Sequence, residues 1–133
     1  MTRQNPIGHI NWHDYTMKDA GELRDFYSKV VGWGTSEVPM KDGDGAYADY
    51  CMHASGEKGQ AGPVVAGVCH ARGSNAKLPT QWLMYITVAD VEASAKQCVA
   101  LGGKLLDGPR KMGSQMFCCI QDPAGAVCAL ISP

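Results

Sequence analysis

The absences in this 133-residue chain narrow it first. No apolar run approaches the length of a membrane span, and residues 1–6 hold no signal-peptide core, so a cytoplasmic protein with no membrane partner is expected. Twelve Lys and Arg against thirteen Asp and Glu leave a formal net charge of -1. With no basic stretch either, broad phosphate contact and nucleic-acid binding are not expected. Six cysteines stand at positions 51, 69, 98, 118, 119 and 128, with no CxxC pair among them. Cys118 and Cys119 are adjacent, a poor geometry for an ordinary disulfide, so all six read as reduced, small apolar residues. No Walker loop, no GxGxxG after a strand, no HExxH and no GxSxG occurs, which leaves nucleotide cofactors and serine hydrolysis without support.

What is present is organised around residues 12–34, WHDYTMKDAGELRDFYSKVVGWG. Trp12 to Met17 is an extended segment that leads into Asp19. Beyond it Leu23, Phe26, Tyr27, Val30 and Val31 recur at i, i+3, i+4, i+7 and i+8, one apolar face of a helix. Asp19 suits the N-cap, with Glu22 three residues on, and Gly32 permits the left-handed turn that ends a helix. Further strands are expected over 35–40, 46–52 and 63–70, followed by a polar connector over 71–79.

The pattern then returns. Residues 82–88 (WLMYITV) form a strand that leads to Asp90, another N-cap. A helix over 91–101 turns Val91, Ala95, Cys98 and Val99 inward and stops at Gly102-Gly103. Residues 104–106 continue as a strand bent at Asp107-Gly108-Pro109, and strands follow over 114–121 and 126–131. Shifted by about 71 positions, Thr16 falls on Thr87, Asp19 on Asp90 and Gly32 on Gly103, so the chain reads as a duplicated βαβββ unit. Modules over 7–70 and 80–132, joined by 71–79, would make a single domain over 1–133. The fold class is α+β, since each module leaves a sheet face that its partner can cover.

These residues resemble a known family. The run NWHDYTMKDAGELRDFYSKVVGW is similar to the first module of the vicinal oxygen chelate superfamily, which comprises glyoxalases, bleomycin-resistance proteins and extradiol dioxygenases. WLMYITVADVEASAKQCVALGGKL resembles its second module, and IQDPAGAVCALIS its closing turn and strand. The resemblance implies two βαβββ modules paired into a cup-shaped mixed sheet, a homodimer, and a ligand or metal on the concave face. In metal-using members a His stands seven residues before each helix-capping Asp, and a Glu stands on the closing strand. Here those positions hold Trp12, Leu83 and Ala129, which offer no lone pair to a divalent cation. No metal and no cofactor are therefore expected.

Side chains two apart on a strand share a face. If Trp12 and Leu83 face the concave side, Asp14, Thr16, Tyr85 and Thr87 join them, with Val127, Ala129 and Ile131 from the last strand. His13, Tyr15, Met17, Met84, Ile86 and Val88 would lie on the helix side. Asp14 and Tyr85 are the catalytic candidates. Asp14 has two readings: a carboxylate that takes a proton or binds a cationic or hydroxylated ligand, or one that only orders the cup through Tyr85 or backbone groups. A joint site of the neighbours His13 and Asp14 would need a bulge. Trp12 and Trp82 read as packing residues, His9 and His53 as solvated. His70 and Arg72 stand at a strand end where they could reach the rim. The function expected is the binding of a small aromatic or amphipathic molecule in a metal-free cup. The alternative is a lyase, isomerase or dioxygenase that recruits a cation through Asp14, His70 and other ligands.

Overall fold

The computed structural model describes residues 5–43, 45–58 and 60–133. Element order is β1 (Ile10–Met17), α1 (Ala20–Val31), β2 (Gly34–Asp42), β3 (Gly45–Ser55), β4 (Ala61–His70), then β5 (Trp82–Thr87), α2 (Val91–Ala100), β6 (Lys104–Met112), β7 (Gln115–Gln121) and β8 (Val127–Ile131). This is the α+β class and the repeated β-α-β-β-β order read from the sequence. The last residues of the 71–79 connector are not mere linker, since Leu78 is buried.

The chain divides into two compact units, and the boundary falls inside β1. One unit holds His13–Trp82; the other holds the N-terminal residues through Trp12 together with Leu83–Pro133. In the first unit strands follow the order β2-β3-β4-β1, with β1 parallel to β4 and the other neighbours antiparallel. In the second the order is β5-β8-β7-β6, again with one parallel pair, β5 and β8. The duplication is thus visible in register as well as in order.

Both helices begin as the repeat predicts. Asp19 Oδ1 accepts the backbone N–H of Glu22 at 3.1 Å, and Asp90 Oδ1 accepts that of Ala93 at 3.1 Å. Each such cap is worth about 1 kcal/mol. Gly32 closes α1 at φ 84°, the left-handed conformation that glycine adopts without a Cβ clash.

The buried face of α1 differs from the sequence expectation. Ala20 is buried, and Leu23 and Tyr27 pack with Trp33, Tyr50 and Trp82 against Met52, Ala66 and Val68. Phe26, Val30 and Val31 lie outside this contact, at 54%, 65% and 52% exposure. The stripe that docks is i, i+3, i+7 from Ala20, because the aromatic group around Trp82 selects it. Trp82 Nε1 donates to Tyr27 Oη at 2.9 Å, and its ring meets Tyr15 edge-on at 5.2 Å. Trp82 is therefore a packing residue, as expected, and Tyr15 lies on the helix side; His13 is exposed. In α2, Val91 and Ala95 are buried, whereas Val99 points to solvent.

Two further expectations are corrected. β6 does not stop at Leu106: it runs to Met112, with register shifts at Leu105/Asp107 and Asp107/Arg110 that absorb the bend. His53 is a strand residue, not a solvated loop residue. Its ring bonds Ser36 Oγ at 2.7 Å and the Gly62 carbonyl at 2.9 Å.

Candidate functional site

In the unit His13–Trp82, the sheet has one face under α1 and one face opposite. Register assigns the second face. Asp14 pairs with Gly67 and Thr16 with Cys69 across β1 and β4, while Cys51 pairs with Gly67 across β3 and β4. Asp49 precedes Cys51 by two residues and shares its face. Asp14, Thr16, Cys69, Asp49 and Cys51 therefore gather on the side away from α1. Gly67 lies between Asp14 and Cys51, contributes no side chain and is itself buried.

The chemistry of this face is acidic. The Cys69 thiol lies 3.6 Å from Asp14 Oδ2 and 3.7 Å from Oδ1, and donates to that carboxylate. Burial pushes the Cys69 thiol far up, and the carboxylates of Asp14 and Asp49 push it further in the same direction. The sulfur is thus a protonated donor at neutral pH, not a nucleophile. Asp49 is 5% exposed. Its Oδ1 accepts the backbone N–H of His70 at 2.8 Å and faces His70 Nδ1 at 3.4 Å. Thr16 is 1% exposed, and its Oγ1 has no hydrogen-bond partner among the described residues.

The rim of the same face carries Tyr47 and Arg72. Arg72 stacks on the Tyr47 ring at 4.0 Å and holds Asp42 bidentately at 2.9 and 3.0 Å. Burial, followed by Asp49 and Asp42, raises the Tyr47 phenol. Its neighbours across the ladder are apolar: Val38 pairs with Asp49, and Met40 with Tyr47.

Of the residues singled out from the sequence, Asp14 and Thr16 come together here, and His70 joins them through Asp49. Trp12 is half-buried and belongs to the other unit. There Leu83, Tyr85, Thr87 and Ala129, with Ile131, are buried on the face opposite α2. Tyr85 lies over Phe117 with ring centroids 5.6 Å apart, and Val127 is half-buried at the start of β8. Sequence reasoning missed Asp49 and treated Cys69 only as a small apolar residue. The strict alternation of AYADYCM was the signal that could have placed Asp49 beside Cys51.

A family model described as a glyoxalase-like domain matches residues 13–131. The chain belongs to the glyoxalase-like family. It is also similar to CFP32 of Mycobacterium tuberculosis and Mycobacterium bovis, which bears the provisional name of a glyoxylase, with 29% identity over 124 residues. That match covers 92% of this chain and 45% of CFP32, so the chain spans about half the length of the curated relatives it matches. A variant of Streptomyces coelicolor methylmalonyl-CoA epimerase, solved with 2-nitronate-propionyl-CoA, shares 16% identity and a TM-score of 0.53 over 96% of this chain and 98% of that one. A glyoxalase/bleomycin resistance protein/dioxygenase superfamily member from Vibrio splendidus shares 13% identity and a TM-score of 0.53 over 92% and 97%. At these identities the likeness is one of fold alone, and the fold is the α+β one described above.

The positions that would hold a metal ion in this superfamily do not fit one here. Leu83 and Ala129 are buried and offer no donor atom, and the Trp12 indole is a donor only. Among the described residues, no three His, Cys, Asp or Glu side chains gather as a metal-binding group.

Proposed function

We propose that this glyoxalase-like domain binds a small aromatic or amphipathic molecule, without a metal ion, on the face that carries Asp14, Thr16, Cys69 and Asp49. One observation carries the reading: two carboxylates share a mostly buried face with a thiol kept protonated between them. Such a face accepts hydrogen bonds from a ligand, while Val38, Met40 and Tyr47 offer apolar surface beside it. A nitronate–CoA complex of an epimerase with this fold supports the use of the scaffold for small molecules. With the family resemblance, the same reading takes the protein as a cytoplasmic homodimer. Among the described residues no helix is long and apolar enough to cross a membrane.

The test has two parts. Protein purified without added cation or chelator is expected to carry zinc, nickel, cobalt and iron only in substoichiometric amounts. Stoichiometric metal would overturn the reading in favour of a cation-dependent lyase, isomerase or dioxygenase. A ligand-observed NMR screen of aromatic and amphipathic fragments should then yield hits that weaken in Asp14→Ala, with the melting curve retained. Hits that bind Asp14→Ala and Asp49→Asn as well as the parent would sink the assignment.

A further inference from the structure

A second group of polar side chains lies in the unit His13–Trp82, where β2 meets β3. Ser36 pairs with Cys51 and His53 with Gly34, so Ser36 and His53 are diagonal neighbours on one sheet face. Ser36 Oγ lies 2.7 Å from His53 Nε2, and His53 Nδ1 lies 2.9 Å from the Gly62 carbonyl oxygen. The ladder between β3 and β4 shifts register on both sides of His53, and Gly62-Pro63 oppose Ala54 alone. Such a bulge re-aims groups that a regular ladder would hold. A Cβ on Gly62 would run into the Ala54 carbonyl and the Ser55 backbone, so only glycine fits where this carbonyl meets the ring.

The Gly62 carbonyl sets the chemistry of the ring. An amide oxygen accepts and cannot donate, so Nδ1 carries the hydrogen of the neutral imidazole. Nε2 is then a lone pair, and the Ser36 hydroxyl is its donor. Hydroxyl, imidazole and a group that orients the far nitrogen stand in the order that activates a serine for acyl transfer. Here a backbone carbonyl takes the place of the usual carboxylate. Ser36 is exposed and His53 half-buried, so the nucleophilic oxygen is open to solutes while the base is held. Val38, two residues along β2 on the same face, is 37% exposed and offers apolar surface beside the hydroxyl.

We propose that Ser36 is a nucleophile and His53 its general base, acting on carboxylic esters with aryl leaving groups. This activity does not depend on the small-molecule reading above. Ser36 Oγ bonds to the ester carbonyl carbon while its proton passes to His53 Nε2. The bond from that carbon to the aryloxy oxygen breaks, and the leaving oxygen takes the proton from Nε2. Water, activated by the same nitrogen, then splits the acyl-serine, releasing the acid and restoring Ser36. Nδ1–H stays bonded to the Gly62 carbonyl throughout and steadies the charged ring. An aryl ester suits a hydroxyl on an open strand, because a phenolate leaves readily and its ring can rest on Val38.

The test begins with a biotinylated fluorophosphonate, which phosphonylates activated serines with loss of fluoride. Peptide mass spectrometry of the full chain should place the label on Ser36 in the native protein and nowhere after unfolding in urea. His53→Gln keeps an oxygen that can accept the Ser36 hydroxyl but supplies no base, so labelling should slow about a hundredfold with the melting curve retained. Should that variant melt early, carbethoxylation of His53 in the parent by diethyl pyrocarbonate should block the label equally. With p-nitrophenyl butyrate, steady release of nitrophenolate should fall to background in Ser36→Ala. A label absent from Ser36, or one that reaches it as fast without the imidazole base, means that the hydrogen bond only ties β2 to β3 and overturns the proposal. A parent that releases nitrophenolate no faster than Ser36→Ala overturns the ester activity. Each of these failures leaves the ligand-binding face around Asp14 and Asp49 untouched.

Discussion

Cys69 shows what a neighbourhood does to a side chain. In sequence it is one of six unremarked cysteines, and its type suggests a small apolar filler. In the fold its sulfur is buried beside Asp14 and within reach of Asp49, and both carboxylates oppose thiolate formation. Alkylation requires the thiolate. Iodoacetamide at pH 8 should therefore modify Cys69 slowly in the native protein and readily after unfolding in urea. Asp14→Asn removes one opposing charge, lowers the thiol toward its ordinary value and should speed native alkylation, read by peptide mass spectrometry. An unchanged rate would mean that burial alone protects the sulfur. His70 makes the related point: its strand-end position was legible, but Asp49, 21 residues away, was not visible as its partner.

Elements were more legible than their faces. Strand–helix boundaries, the caps at Asp19 and Asp90 and the terminating Gly32 all follow from local chemistry and all appear. The docking stripe of α1 does not follow, because Leu23, Phe26, Tyr27, Val30 and Val31 fit helical spacing equally well. Two neighbouring stripes are apolar, and only the aromatic group of Tyr15, Trp33 and Trp82 decides between them. Phe26→Ser loses only an edge-on contact with the Tyr27 ring at 5.1 Å and should therefore cost about 1 kcal/mol or less. Tyr27→Ala removes a ring packed against Tyr15, Phe26, Trp33 and Trp82 and the acceptor of the Trp82 indole, and should cost about 2–4 kcal/mol. Equal losses in denaturant melts of the two variants would contradict the observed face. β6 makes the same case for strands: Asp107-Gly108-Pro109 reads as a bend, and pairing with β7 carries the strand through it to Met112.

At the scale of the molecule, the second unit contains two buried neighbours that govern its alkaline behaviour. Burial raises Cys118 to about 11 and Cys119 to about 12. A group whose folded value lies above its unfolded value binds its proton more tightly in the native state. Its contribution is complete below the unfolded value, near 8.5, and is lost as pH rises through the folded values. Melting temperature should therefore decline between about pH 9 and pH 12, at a slope of at most about 1.4 kcal/mol per pH unit for each thiol. The pair Cys118→Ala and Cys119→Ala should flatten that limb of the thermal-melt profile. A decline of equal steepness in the double variant would assign it to other groups.

Sequence alone determined the α+β class, the doubled β-α-β-β-β order, the helix ends and the membership of Asp14 and Thr16 in one strand face. Those properties rest on periodicity, capping and chain-local sterics, which act over a few residues. Only the tertiary structure decided that Cys69 and Asp49 stand with Asp14, that the Thr16 hydroxyl is buried without a partner, and that Phe26 is left outside the core. Such facts depend on which strands pair and in what register. Hydrogen bonding between distant segments sets that register, and the alternation of any single strand does not contain it.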